Sequence, residues 1–146
     1  MTPKEYLEQI KKIDRKITLL EEKRDNIHSS LYGRAIVYTN DSGKKSNHDN
    51  SMENALISVL EIEEKIKIEL KRLIKCRIDV ENSIQTLIQD ELVREIFERK
   101  YLLFQTWEQI SERLHYSVVH LHRLHSANIS VFSTVSNSYS ELLNVS

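Results

Sequence analysis

The sequence contains little of what ends helices or cross-links chains. Its 146 residues include only two glycines, one proline and one cysteine. Glycine and proline punctuate secondary structure, so their scarcity favours long helices with few turns. A single cysteine, Cys76, excludes an internal disulfide and a zinc ribbon. No apolar run approaches the length of a membrane span, and Met1 to Lys4 do not open a signal peptide. We therefore expect a cytoplasmic protein without a membrane partner.

An excess of one charge is also missing. The 21 Lys and Arg residues are balanced by 22 Asp and Glu residues, which gives a formal net charge of −1. This balance does not by itself indicate a nucleic-acid or membrane partner. The sequence also lacks a glycine-rich phosphate loop, a nucleophile–base arrangement and paired catalytic carboxylates. We therefore expect neither an enzyme nor a cofactor.

Two long stretches of the first 90 residues carry apolar side chains at alternating spacings of four and three. This rhythm is typical of helices that turn one apolar stripe towards a partner. The first stretch begins with a capping box, Thr2 and Glu5. Its stripe consists of Tyr6, Ile10, Ile13, Ile17, Leu20, Ile27 and Leu31, interrupted by Arg24. The second stripe consists of Met52, Leu56, Val59, Ile66, Leu70, Leu73, Val80, Ile84 and Leu87, interrupted by Glu63 and Arg77.

The two stripes predict an antiparallel, coiled-coil-like helical hairpin over residues 1–89. Between them, residues 32–51 hold both glycines and many Asn and Ser residues, which predicts a polar loop. In this hairpin Arg24 would lie within about one helical turn of Glu63. Several apolar residues stay off the stripe, and such leftover apolar surface predicts a homo-oligomer, a dimer formed through the long helices. These residues are Leu60, Ile62, Ile68, Ile74 and Ile78.

The C-terminal third predicts a small domain of short helices over residues 90–130. Asp90 is a suitable N-cap for a third helix and marks our predicted domain boundary. Thr106 and Gln109 have the spacing of a second capping box, and Ser117 is suited to cap a further helix. A short helix, a tight turn and a second helix are the parts of a helix-turn-helix. The predicted fold class is therefore all-α, a long hairpin followed by a helix-turn-helix domain.

The core of this predicted motif follows from the same spacing. Ser111 provides a small residue where the two helices cross. His115 occupies the turn, where the backbone becomes left-handed, and histidine is among the non-glycine residues enriched in that conformation. The predicted inner positions are Ile110, Leu114, Tyr116, Leu121 and Leu124.

The outer positions of the second helix are the candidate DNA-binding residues. The first turns of this helix enter the major groove in such motifs. Arg123 is the strongest single candidate, because its guanidinium can bind guanine or a phosphate. Gln109 and Arg113, on the preceding helix, are expected closer to the DNA backbone. The predicted outer set is Ser117, Val118, Val119, His120, His122, Arg123 and Ser126.

The spacing of His120, His122 and His125 invites a metal-site interpretation. However, His120 and His122 point to different faces of a helix, and no carboxylate or cysteine joins them. We therefore predict no metal site and interpret the histidines as exposed residues of the second helix.

The C-terminal third resembles the sigma-70 region-4-like helix-turn-helix of small phage transcription regulators of the ArpU/RinA type. The matching residues are "ERKYLLFQTWEQISERLHYS" (98–117) and "LHRLH" (121–125). Upstream, "TPKEYLEQIKKIDRKI" and "MENALISVLEIEEKI" are similar to the helical first half of these proteins. The resemblance implies a phage or prophage protein in a bacterial host, which binds promoter DNA or host RNA polymerase and regulates late genes.

Two alternatives to transcription regulation stay open. A small-terminase-like DNA-packaging component also joins a helix-turn-helix to coiled helices, and a ring-forming oligomer would favour it. The other alternative is a protein-interaction module that no longer binds DNA. It is favoured by the absence of Lys or Arg after Arg123, and by five basic against five acidic residues from 92 to 146. The Ser-rich tail, residues 131–146, is expected to be disordered.

Overall fold

The computed structural model describes residues 1–38 and 48–145, and every regular element in these two ranges is a helix. The predicted all-α fold class is therefore confirmed for the described residues. The elements in chain order are α1 (Pro3–Tyr38), α2 (His48–Leu87), α3 (Glu91–Tyr101), α4 (Trp107–Leu114), α5 (Val118–Asn128), a 3₁₀ helix (Ile129–Phe132) and α6 (Ser133–Val145). None of the described helices is long and apolar enough to cross a membrane.

The two long helices extend into the stretch predicted as a loop. Residues 32–38 belong to α1 and residues 48–51 to α2, while residues 39–47 lie outside the described residues. Gly33 lies inside α1, although glycine lowers helix stability by about 1 kcal/mol relative to alanine. A helix of 36 residues tolerates one such position.

The chain divides into two compact units, and neither boundary is at Asp90. Unit 1 consists of Met1–Lys12 and Leu73–Ser146, and unit 2 consists of Ile13–Arg72. The predicted boundary at Asp90 therefore lies inside unit 1.

Unit 1 includes the first turns of α1. They begin with the predicted capping box, in which the amide of Glu5 donates to Thr2 Oγ1 (3.2 Å) and the amide of Thr2 donates to Glu5 Oε2 (2.7 Å). Tyr6 is buried, and its hydroxyl lies 3.0 Å from Ser83 Oγ. Gln9 Oε1 accepts a bond from Cys76 Sγ over 3.4 Å. Within this unit the start of α1 therefore runs antiparallel to the end of α2.

The predicted disorder of residues 131–146 is wrong for the described part of this tail. Residues 133–145 form α6, and Phe132 and Ser136 are completely buried in unit 1. The Phe132 ring lies 5.5 Å from Phe97 and 6.5 Å from Tyr6, measured between centroids. Serine-rich composition suggested disorder, but one buried aromatic with a small residue four positions later is enough to dock a helix.

Unit 2 contains an ion pair whose carboxylate is buried. Lys16 Nζ lies 2.6 Å from Oε1 of Glu69, and Arg72 Nη1 lies 3.8 Å from Oε2. Glu69 is only 7% exposed. Arg24 pairs with its neighbour Asp25 at 3.2 Å, so the predicted proximity to Glu63 does not produce an ion pair.

The predicted apolar stripe of α1 is buried except at Ile27, which is half-buried, whereas the predicted α2 stripe is wrong at Met52, Leu56 and Leu70, which are exposed. Tyr6, Ile10, Ile13, Ile17, Leu20 and Leu31 are all buried on α1. On α2, Val59, Ile66, Val80 and Ile84 are buried as predicted. Leu70 is exposed, however, and its neighbour Glu69 is buried; likewise Cys76 is buried beside the exposed Arg77. The prediction preferred a leucine over a glutamate for burial, but Lys16 stabilises the glutamate there.

Candidate nucleic-acid interface

Helix α4 begins at the predicted capping box. Thr106 Oγ1 accepts from the amide of Gln109 at 3.2 Å, and Gln109 Oε1 accepts from the amide of Thr106 at 2.9 Å. Both bonds satisfy amides that the first helical turn leaves without partners. The side-chain carbonyl oxygen of Gln109 is therefore occupied by the cap.

A tight turn joins α4 to α5. His115 ends α4 with φ 60° and ψ 36°, the left-handed conformation predicted for this position. Ser117 then caps α5, accepting from the amide of His120 at 3.2 Å. The Ser111 hydroxyl donates to the carbonyl of Tyr116 at 2.5 Å and ties the turn to α4. These side chains fix the angle between the two short helices.

The core beneath the turn consists of three completely buried residues from three helices, Ile96 of α3, Ile110 of α4 and Leu121 of α5. Four partly buried residues pack around them: Leu92, Trp107, Leu114 and Leu124. The predicted inner residues of α4 and α5 therefore face this core. Tyr116 is the exception, because it is 40% exposed. Its ring instead packs on His120, with centroids 5.3 Å apart.

The outer face of α5 brings together four of the predicted DNA-binding residues. Val119, His122, Arg123 and Ser126 are all exposed, and their spacing of three and four places them on one helical face. Val119 is 70% exposed, an unusual degree for a valine. Ala127 is also exposed on this helix, and the sequence reading missed it.

The remaining candidates lie at the edges of this face or beside it. Val118 and His120 are half-buried, so they border the exposed face. Ser117 is exposed, but its hydroxyl caps the helix. Arg113 is exposed on α4. The structure therefore leaves Val119, His122, Arg123 and Ser126 as the central set.

The histidines of α5 have different surroundings. His122 is exposed beside Trp107, with ring centroids 4.4 Å apart. His125 stacks on Phe97 at 5.0 Å, and its Nε2 lies 2.6 Å from the Tyr101 hydroxyl. Burial lowers the pKa of His125 to about 4, with His122 contributing next. Burial also raises the pKa of Tyr101. Nε2 of the neutral imidazole can therefore accept a hydrogen bond from the Tyr101 hydroxyl.

Most cations near this face already have protein partners. Arg99 pairs with Glu95 at 2.9 Å, and Arg94 donates to the carbonyl of Gln89 at 2.9 Å. Lys100 lies over the Trp107 ring, 4.9 Å from its centroid, and burial lowers its pKa. Within the described residues 90–130, only Arg113 and Arg123 are cations with no ion pair, hydrogen bond or ring contact.

Comparison of the chain with protein-family models, with curated proteins and with solved structures finds no match. The interpretation of this surface therefore depends on its geometry and charges.

Proposed function

We propose that α4, the His115 turn and α5 form a helix-turn-helix that binds double-stranded DNA, and that the protein is a phage-type transcription regulator. The observation that carries the proposal is the outer face of α5. It holds exposed Arg123, His122, Ser126 and Val119 on a short helix that is fixed by caps at its start. In such motifs this face enters the major groove.

The chemistry of the face suggests what each side chain reads. The Arg123 guanidinium can donate two bonds to guanine or bind a phosphate. Val119 is apolar and exposed, which suits contact with a thymine methyl group. Arg113 and Gln109 are exposed on α4, and we propose that they contact the phosphate backbone.

The proposal is tested in two steps with the full chain. Sheared DNA from the bacterial host and its prophages is first captured on the tagged protein. A recovered fragment is then titrated with wild type and variants at two salt concentrations. Arg123→Ala should weaken binding by about 1–3 kcal/mol if the guanidinium contacts a base. Arg113→Ala should weaken it less, and its effect should shrink at high salt, as expected for a phosphate contact.

Arg15→Ala is the matched control, since Arg15 is an exposed arginine on α1. The affinity of the Arg15→Ala variant for the DNA fragment should equal that of wild type. If Arg123→Ala also equals wild type, α5 does not contact the DNA and the proposal fails.

The charge balance favours a second candidate function, a protein-interaction module. Among the cations of residues 90–130, only Arg113 and Arg123 lack protein partners, so phosphate contacts can contribute little to the affinity for DNA. The exposed Val119 would then contact a protein such as host RNA polymerase. This candidate would be supported over the first if the wild-type protein captured polymerase but retained no DNA. Polymerase capture should then be lost in Val119→Asp and kept in Arg15→Ala.

A further inference from the structure

Helix α2 has a second apolar row that unit 2 does not cover. Val59 and Ile66 are buried within unit 2. Leu60 is 64% exposed, Ile68 is 56% exposed, and Ile57 is exposed beside them. At about 3.6 residues per turn, Ile57 and Ile68 lie on the face opposite to Val59 and Ile66, and Leu60 lies at the edge of that face. Exposed apolar rows of this length indicate a protein interface.

The charges of α2 change sign halfway along the helix. Residues 51–64 contain no Lys or Arg but four glutamates: Glu53, Glu61, Glu63 and Glu64. Residues 65–72 contain four cations: Lys65, Lys67, Lys71 and Arg72. The one acidic residue in the basic half is Glu69, which is buried and paired with Lys16. The exposed surface of this part of α2 is therefore negative at one end and positive at the other.

We propose that the occupant of this face is a second copy of the chain, packed antiparallel on α2 with the two-fold axis near Glu64. This arrangement places Leu60 against Ile68 of the second copy and Glu61 against Lys67 of the second copy. Ile57 then lies against the aliphatic part of Lys71. The sequence is complementary on either side of this point at Leu60 with Ile68 and at Glu61 with Lys67, whereas Glu64 on the axis meets its own copy.

Other arrangements fit the charges less well. A parallel dimer would set the acidic half against the acidic half, which is unfavourable. A membrane surface or a DNA backbone would require one cationic face rather than a face with both signs. The inference gives the predicted dimer an orientation and a surface. Because it concerns self-association alone, it is tested without DNA, and its failure would leave the DNA-binding proposal untouched.

Charge reversal tests the pairing. Dimer dissociation is measured by sedimentation equilibrium of the full chain. Glu61→Lys and Lys67→Glu should each raise the dissociation constant by about tenfold. Each substitution turns both copies of the Glu61–Lys67 pair in the dimer into pairs of like charge. The double variant should return it to within about threefold of wild type, because the pair is restored with opposite sense.

Glu22→Lys is the control, a reversal at an exposed position of α1. It should leave dissociation unchanged, and circular dichroism should show equal helicity in all variants. A double variant that is weaker than both single variants would overturn the inference. So would a wild-type chain that is monomeric at tens of micromolar, where stable dimers persist.

Spin labels test the orientation without assuming the register. A label on Glu53→Cys should be about 33 Å from its copy along the helix axis, whereas a label on Glu64→Cys should be about 10 Å away. Native Cys76 is buried. Wild-type protein treated with the same spin label should give no spin signal, which verifies that Cys76 is not labelled. Short distances at both positions would indicate a parallel dimer and overturn the inference.

Discussion

Tyr101 and His125 form a pH-sensitive contact in unit 1. The phenol and the imidazole Nε2 are 2.6 Å apart, and the ring of His125 is enclosed by Phe97 and Trp107. The charged groups that act on it are His122, Lys100 and Lys4, all of which disfavour a second positive charge. Folding therefore holds His125 neutral.

This contact predicts a loss of stability in mild acid. The unfolded chain protonates this histidine near pH 6.5, whereas the folded protein does so only near pH 4. Between these values the unfolded state binds more protons, so the free energy of unfolding falls as the pH falls from 6.5 to 4. The full shift corresponds to about 3 kcal/mol, and we expect about 2 kcal/mol because the ring is partly exposed. Urea unfolding at intervals across this range measures the loss.

His125→Phe keeps the stacking and removes the titration, so it should flatten this part of the pH profile. His28→Phe is the matched control on the exposed surface of α1 and should keep the wild-type slope. Equal slopes in wild type and His125→Phe would show that another group causes the acid sensitivity.

Single residues were predictable where their role is local. Thr106, Ser117 and His115 act within three or four positions of themselves, and sequence spacing identified all three. Tyr116 was assigned to the core from its spacing, yet it packs on His120 at the surface. The position of its side chain depends on the direction in which the chain leaves the turn, and this direction cannot be predicted from the spacing of residues in the sequence.

Helix α6 adds an element that composition concealed. Phe132, immediately before it, lies between the rings of Phe97 and Tyr6 and is completely buried. The sequence of this segment is serine-rich, which suggested disorder. Burial of one aromatic anchor depends on a pocket formed by residues far away in the sequence.

We predict that the anchor holds the C-terminal segment in place. Phe132→Ala should lower the free energy of unfolding by about 3–5 kcal/mol, the usual cost of removing a buried phenylalanine ring. The neighbouring Val131→Ala, at an exposed position, should change it by less than about 0.5 kcal/mol. Urea unfolding measures both. If Phe132→Ala costs less than 1 kcal/mol, the segment is not packed and the disorder predicted from composition stands.

The long helices show how far periodicity predicts packing. Six of the seven predicted apolar positions of α1 are buried, but Ile27 is half-buried and the completely buried Leu7 was not predicted. On α2, Val59, Ile66, Val80 and Ile84 are buried as predicted, but Glu69 is buried in place of Leu70, and the buried Cys76 was not predicted. Burial of a carboxylate requires a partner on another helix, and Lys16 was not visible as that partner from spacing alone.

At the scale of the whole molecule, unit 1 joins residues from both parts of the sequence. Its core contains Tyr6, Leu7 and Ile10 of α1, all nearly or completely buried. The α4–α5 pair belongs to the same unit. The predicted separate domain over residues 90–130 therefore depends on side chains that lie some 80 residues before it.

A chain without residues 1–12 should not hold α3 to α6 in their native packing. The free-energy cost of losing three large buried side chains is comparable to or larger than the usual free energy of unfolding of a domain of this size, about 5–15 kcal/mol. Trp107, the only tryptophan, lies in α4 and reports on this unit by its fluorescence. We expect emission of the truncated chain close to that in denaturant.

A chain without residues 141–146 is the control for truncation, since Glu141, Leu142 and Asn144 are all exposed. Its tryptophan emission should match the full chain. Native emission from the chain without residues 1–12 would mean that the small domain folds alone, as the sequence suggested.

The contact between Tyr6 and Tyr139 also has a consequence for synthesis in the cell. Their rings are 5.6 Å apart, although 133 positions separate them in the chain. During translation the start of α1 is made first, and its partner side chains emerge almost last. Until residues near 139 leave the ribosome, the apolar side of Tyr6, Leu7 and Ile10 has no complete pocket to enter. The nascent chain must therefore keep this segment exposed or hold it in a temporary arrangement, which makes it the natural target of a chaperone.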